Sequence, residues 1–265
     1  MKKYIAGFIG TGNMGGALAV AAVKAAGGEK IALYDINKEK AEAFANTVGG
    51  AYLPLRELCQ NCDYIFLGVK PHIVNGLLEE IKEDVPEDAV IVSMAAGVDL
   101  WTLNRASGKE KIIRIMPNTP ATVGEGMMLY SLYEGITEAE EKGFLEVMSK
   151  TGKIALIPES QMDAAMAVSG CGPAFVYMFI DALADGAVAC GLPRDKALEF
   201  AKQTVKGSAA FAIASEKHPE QLKDEVCSPG GTTIEGVLAL EDGAFRSTVA
   251  AAVIAAFEKT KKLKN

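Results

Sequence analysis

The sequence predicts an α/β chain in which a doubly wound, mostly parallel sheet is followed by an all-α domain. Short β-rich runs alternate with helical periods up to about residue 158, and only helical periods follow. Between the first run and the first helix stands Gly10-Thr11-Gly12-Asn13-Met14-Gly15. Strands alternating with helices of crossover length build parallel sheets. A G-x-G-x-x-G at a strand-to-helix turn is the signature of a Rossmann-type, dinucleotide-binding half. The expected domains are therefore 1–158, a dinucleotide-binding Rossmann domain, and 159–265, a helical one.

The elements follow in order. The strand YIAGFI leads into a helix over Met14–Ala26, IALY into Lys38–Asn46, and YIFLGV into His72–Glu83. The runs AVIVSM, KIIRIM and MMLYSL precede a helix over Glu138–Lys150, and KIALI closes the series. Beyond Pro158 the stretches GCGP, GLPRD, KHPE, SPGG and EDGAF punctuate helical periods as stop and start signals. Ser160 with Asp163 resembles a capping box with the shorter acid and marks the start of the second domain. Its helices are rich in Ala and Gly on several faces, an apolar surface too wide for about 105 residues to bury alone, so a homo-oligomer is expected.

Composition excludes several classes. A net charge of −7, with no basic stripe beyond the terminal KKLK, argues against a nucleic-acid partner. The start MKKYIAGFIG runs straight into a glycine motif without a cleavage site, so a cytoplasmic location is expected. Ala164–Ile180 is nearly all apolar, but the Gly170–Pro173 break leaves it short of the ~20 uninterrupted residues of a membrane span. It reads as a helix buried by protein, and no membrane partner is expected. Five cysteines, odd in number and scattered, suit reduced thiols. Cys59 and Cys62 form a C-x-x-C without a second pair or a neighbouring His, so no metal is expected.

The glycine motif places backbone amides at a helix N-terminus, facing a pyrophosphate. Asp35 closes the second strand about 20 residues on, where an acid accepts hydrogen bonds from a ribose 2′-hydroxyl. That leans towards NADH, whereas Asn37, Lys38 and Lys40 would suit the 2′-phosphate of NADPH if Asp35 swung aside. Three further loops follow strand ends, where open α/β sheets bind ligands: Gly68-Val69-Lys70-Pro71, Ala95-Ala96-Gly97 and Asn118-Thr119-Pro120. Together they predict one continuous cofactor groove.

The chemistry is constrained by what is missing. Only His72 and His218 exist, each beside a proline, so an imidazole proton carrier for alcohol oxidation is poorly provided. A cyclic imine can arrive already protonated, and an iminium carbon accepts hydride without a further proton in that step. The protein then supplies mainly placement, with reacting atoms ~3–3.5 Å apart. In Ser228-Pro229-Gly230-Gly231-Thr232-Thr233 the glycines can expose amides at a helix start, an anion site for a substrate carboxylate. Ser228 can cap the helix or touch that carboxylate, and the Thr233 hydroxyl can face a ring nitrogen. A plain helix cap set by Pro-Gly-Gly is an equal reading of these residues.

At these residues the chain resembles the pyrroline-5-carboxylate reductases. The likeness lies in DEVCSPGGTTIEGVLALEDGAFRS, GVKPH at Gly68–His72, AAG at Ala95–Gly97, MPNTP at Met116–Pro120 and SGCGPAF at Ser169–Phe175, in order along the chain. It implies reduction of 1-pyrroline-5-carboxylate to L-proline with NADPH or NADH, and a helical domain that interlocks with its twin, often in a ring of dimers. It also implies that Gly10–Met14, Val69–Pro71 and Ala95–Gly97 hold the dinucleotide, that Thr232 and Thr233 meet substrate, and that Glu159, Glu216 and Lys217 line the site. Cys227 and Cys171 depart from the family's usual hydroxyl residues, both near-isosteric. The β-hydroxyacid dehydrogenases share the architecture, but their catalytic lysine has no counterpart in GPAFVYMFIDAL.

Overall fold

The computed structural model describes residues 2–263. Among the described residues, those up to Cys171, with those from Ala256 onward, form one compact unit, and Gly172–Ala255 form the other.

The first unit is built on an eight-stranded sheet of order β3-β2-β1-β4-β5-β6-β7-β8. Its strands are β1 (Tyr4–Ile9), β2 (Ile31–Tyr34), β3 (Ala51–Tyr52), β4 (Cys62–Leu67), β5 (Val90–Ser93), β6 (Ile112–Met116), β7 (Gly126–Leu132) and β8 (Gly152–Leu156). All neighbours are parallel except β6 and β7. The order reverses between β1 and β4, a switch point that opens a crevice at the strands' C-terminal ends.

Both faces of the sheet are covered, so its strands are mostly apolar, with Ser93, Arg114 and Ser131 as buried polar exceptions. One face packs against α1 (Asn13–Ala26), α2 (Lys38–Val48) and α6 (Glu138–Met148), through Leu18, Ala45 and Phe144. The other packs against α3 (Leu55–Asn61), α4 (Pro71–Ile81) and α5 (Leu100–Ser107), through Leu58, Leu78 and Leu103. Phe8 of β1 stacks on Phe66 of β4 with ring centroids 4.4 Å apart. The caps explain the helix limits. Asn37 accepts from the Lys40 amide, Asp99 accepts from the Thr102 amide, and Gly49 and Gly108 end α2 and α5 in the left-handed region.

The four expected helices of this part lie within about two residues of their observed ends. Strand β3 and helices α3 and α5 have no counterpart in the sequence reading, being two, seven and eight residues long. The capping box expected at Ser160 is absent. Helix α7 (Met162–Ser169) follows a 3-10 turn and has Gln161 at its N-cap with no side-chain bond, because Asp163 lies 3.5 Å from buried Arg114 instead. The capping boxes that do form are Thr137 with Glu140 at α6 and His218 with Gln221 at α10 (Pro219–Val226).

The second unit holds α8 (Gly172–Ala189), α9 (Arg194–Ala214), α10, α11 (Thr232–Asp242) and the start of α12 (Phe245–Leu263). Each expected break falls between helices. Among its described residues only Ala184, Ala197 and Ala201 are buried, at the contact of α8 with α9. The expectation that Ala164–Ile180 forms a helix buried by protein therefore fails within one chain. It divides into α7 and α8, and Met178 stays 73% exposed, because α9 covers one face of α8 and leaves this one open. By length and composition alone Glu159–Ala189 could cross a membrane, and 11% of its apolar window is buried.

Candidate active site

The crevice at the switch point is a groove of about 1180 Å³ within the first unit. Of the expected cofactor residues, Gly10, Gly12, Asn13, Met14, Asp35, Val69, Lys70, Pro71, Ala95 and Ala96 line it. Three glycines divide the work at its floor. Gly10 has φ +96°, and a Cβ there would stand 2.7 Å from the Gly68 carbonyl oxygen. On Gly15 a Cβ would fall 2.1 Å from the Gly10 carbonyl oxygen, so this residue lets the helix sit against the turn. At Gly12 a Cβ would meet nothing within 4 Å, which leaves open space where an anion would approach. Helix α1 has no side-chain cap and no acid in its first turn, so its leading amides suit a pyrophosphate. The residues fit a dinucleotide.

Asp35 does not hang free at the end of β2. Its carboxylate accepts from the Thr11 amide at 2.8 Å, the Thr11 hydroxyl at 3.1 Å and the Asn37 amide at 3.1 Å. Desolvation pushes its pKa up, but the Thr11 and Asn37 amides, the Thr11 hydroxyl and nearby Lys40 outweigh it and hold the acid below its ordinary value. Asn37 spends its side-chain oxygen on the α2 cap. Thr11, Asn37, Gly97 and Asn118 are not among the groove's lining residues. Gly97 sits in the loop beside it with φ +78°. Asn118 is occupied elsewhere, its amide donating to the Ser169 carbonyl and its oxygen accepting from the Met127 amide.

The second glycine-rich loop lies between α10 and α11. Gly230 has φ +66°, and a Cβ on Gly231 would stand 2.3 Å from the Ser228 hydroxyl oxygen. Gly231 is the N-cap of α11 and no side chain caps that helix; the Ser228 carbonyl closes the turn by accepting from the Gly231 amide at 3.0 Å, and its hydroxyl takes no part in the cap. Thr232 is exposed and Thr233 half-buried in its first turn. Glu216 is exposed in the α9–α10 connection, and Lys217 pairs with Glu225. Glu159 is committed elsewhere in the first unit, to Arg114 at 2.5 Å and the Leu100 amide at 3.3 Å.

Arg114 and the groove's apolar wall went unread in the sequence. Ile36, 94% exposed beside Asp35, carries a signal, an apolar residue placed past the end of a strand. Leu55 belongs to the unforeseen α3. Pro71 opens α4, His72 follows it and lines the groove, and His218 caps α10. Burial pushes the Cys59 thiol up to about 12 and raises that of Cys62 as well, so neither is a thiolate at neutral pH. Among the described residues no group of three or more His, Cys, Asp and Glu could hold a metal.

Residues 159–263 match the family described as pyrroline-5-carboxylate reductase dimerisation, and residues 5–97 match NADP oxidoreductase coenzyme F420-dependent. The pyrroline-5-carboxylate reductase of Escherichia coli (strain K12) is 42% identical over 268 residues, covering 99% of this chain and 99% of that protein. That of Pisum sativum is 40% identical over 264 residues, covering 98% and 96%. Among solved structures, the Plasmodium falciparum pyrroline carboxylate reductase with NADP bound superposes with a TM-score of 0.90 at 36% identity, covering all of both chains.

Proposed function

The chain belongs to the pyrroline-5-carboxylate reductase family, and from that premise we propose how its residues divide the work. The reaction is reduction of 1-pyrroline-5-carboxylate to L-proline by hydride from NADH or NADPH, the last step of proline biosynthesis. Domain 1–158 takes the dinucleotide, and 159–265 serves substrate binding and dimerisation.

The nicotinamide supplies the hydride. Everything else falls to the chain. The amides that open α1 meet the pyrophosphate across the space left at Gly12, while Val69–Pro71 and Ala95–Gly97 hold the rest of the dinucleotide. Gly230, Gly231 and the uncapped start of α11 take the substrate carboxylate, at roughly 1.5–3 kcal/mol for each charge-assisted bond. Thr232 and Thr233 meet the ring, with the Thr233 hydroxyl at its nitrogen. Because the imine arrives protonated, no imidazole proton donor is required, and His218 is taken up as the cap of α10.

The observation that carries this reading is the whole-chain likeness combined with two helix starts free of side-chain caps, α1 for a pyrophosphate and α11 for a carboxylate. Asp35 favours NADH over NADPH. The exposed apolar faces of α8 and α9 meet a second copy of the chain, giving at least an interlocked dimer and allowing a ring of dimers in the cytoplasm, with no membrane partner. Oxidation of NADH or NADPH on addition of pyrroline-5-carboxylate, with proline identified as product, tests the reading. Cofactor oxidation that does not depend on the imine rejects it.

A further inference from the structure

A polar row crosses the otherwise apolar sheet. Ser93 of β5, Arg114 of β6 and Ser131 of β7 are paired in register, so their side chains share one face, and each is at most 2% exposed. This face carries the core beneath α5 on one side and the Met162–Met166 cluster of α7 on the other. Arg114 is the largest fully buried side chain of the protein's described residues. Its Nη1 donates to Glu159 Oε1 at 2.5 Å, and its Nη2 lies 3.5 Å from Asp163 Oδ1. The same Glu159 oxygen accepts from the Leu100 amide, while the Ser93 hydroxyl accepts from the Ala95 amide at 3.3 Å.

A buried ion pair adds little stability over a well-packed apolar pair of the same volume. The presence of this one in mid-sheet is better explained by what it orients. Its hydrogen-bond outlet, Glu159, grips Leu100, while Ser93, the register neighbour of Arg114, holds Ala95, so both ends of one segment are tied, and that segment is the Ala-Ala-Gly loop beside the cofactor groove. Between the grips lies Gly97 at φ +78°, a conformation other residues rarely adopt, and within the loop the Val98 amide donates to the Ala95 carbonyl at 3.4 Å.

We propose that Arg114 is a positioning residue for the reductase reaction: through Glu159, it tethers the Ala95–Leu100 loop against the sheet and so presents that loop to the dinucleotide. Glu159 then acts through the loop, not on the substrate. The proposal rests on the groove being the dinucleotide site.

Amide exchange of the ligand-free protein, cofactor dissociation constants and steady-state kinetics, taken on wild type, Glu159→Gln, Glu159→Ala and Arg114→Lys, test it. Lysine keeps the charge but loses the planar fork. In Glu159→Gln, exchange at Ala95–Leu100 should quicken on the order of ten-fold while the neighbouring strands stay protected. Cofactor affinity should fall severalfold in Glu159→Gln, and on the order of ten-fold in Glu159→Ala and Arg114→Lys, short of the ~100-fold that ångström misplacement at the reacting atoms costs. The KM for pyrroline-5-carboxylate should move less than about two-fold. A raised substrate KM at unchanged cofactor affinity would make Glu159 a substrate ligand and overturn the proposal. So would exchange that rises uniformly over the sheet with normal kinetics in the folded fraction, or failure of the near-isosteric Glu159→Gln to fold, since either makes the pair a folding element only. Wild type that binds neither cofactor would sink the groove reading and this proposal with it. That case is distinct from wild type binding normally while Glu159→Gln exchanges just as it does, which sinks the tether alone.

Discussion

The Asp35 carboxylate is held by the amide and the hydroxyl of Thr11, at 2.8 and 3.1 Å, so the acid that ends β2 is pinned to the glycine turn that opens α1. A pinned carboxylate stays ionised where a 2′-phosphate would have to sit. Two charges about 4 Å apart repel by about 1 kcal/mol in water and about 4 near a protein surface. Asp35→Ser should therefore shift the ratio of kcat/KM for NADPH over NADH upward by roughly ten-fold or more. Parallel kinetics with both cofactors read the shift, and an unchanged ratio would remove Asp35 from cofactor choice.

Two glycines of the same turn should respond differently to one added methyl. Gly12→Ala places a Cβ in open space, so the fold should keep its melting temperature within about 2 °C while cofactor affinity drops on the order of ten-fold or more. In Gly15→Ala the Cβ meets the Gly10 carbonyl oxygen at 2.1 Å, backbone against backbone, and both stability and affinity should fall. Thermal melts beside cofactor titrations separate the two. Equal losses of stability would contradict the division of labour.

Much of this was legible in the residues, for reasons that are physical. The glycine turn, the strands around it and the helix breaks each rest on local chemistry: a glycine that alone tolerates φ +96°, a proline at the first position of α4, a run of β-branched residues. What stayed hidden depends on partners far along the chain. Arg114 sits in a run that reads as plain strand, and only the fold brings Glu159 to it, 45 residues on. Asp163 looked like a capping acid because its local spacing suits one, yet buried Arg114 sits 3.5 Å from its carboxylate. Helix α3, at seven residues, is too short for a period to show.

In the second unit Arg246 grips Glu220 with two parallel bonds of 2.8 and 3.1 Å and reaches Glu241 with Nε, tying the start of α12 to α10 and to the end of α11. Hydrogen bonds from Arg246 and then Lys223 bring the Glu220 pKa down to about 2 from an ordinary 4.5. A depressed acid contributes its stability above the unfolded-state value and loses it as pH falls through the folded-state value. The advantage of wild type over Glu220→Gln should thus be full above about pH 4.5 and fade towards pH 2. Because the pair is solvent-exposed, salt should shrink the advantage too. Denaturation midpoints of both proteins across that range are the measurement, and a constant difference would contradict the assignment.

Among the described residues of the helical unit only alanines are buried, while Met178 of α8 is 73% and Phe211 of α9 62% exposed. Apolar faces of this kind mark contact surfaces. Sedimentation at micromolar concentration should give a dimer or larger species, and Met178→Asp with Phe211→Asp should shift it towards monomer. A wild-type monomer would refute the oligomer. Retention of the wild-type protein on lipid vesicles would point to a membrane as the cover instead.

The start of α11 carries the last expectation, that substrate and cofactor binding can be separated by mutation. Gly231→Ala drives a Cβ to 2.3 Å from the Ser228 hydroxyl oxygen and 3.1 Å from its carbonyl, so the hydroxyl must turn aside and the backbone must give slightly, which tilts the amides at the start of α11. One charge-assisted bond lost or misdirected costs roughly 1.5–3 kcal/mol, which is about ten-fold or more in the KM for pyrroline-5-carboxylate. Thr233→Ala leaves the loop's backbone alone and removes only a hydroxyl, so it should lower kcat far more than it weakens cofactor binding. Neither change touches the groove's lining, and cofactor dissociation constants should stay within about two-fold of wild type. If Thr233→Ala weakens cofactor and turnover equally, or leaves both alone, its hydroxyl does not face the reacting ring and α11 has another task.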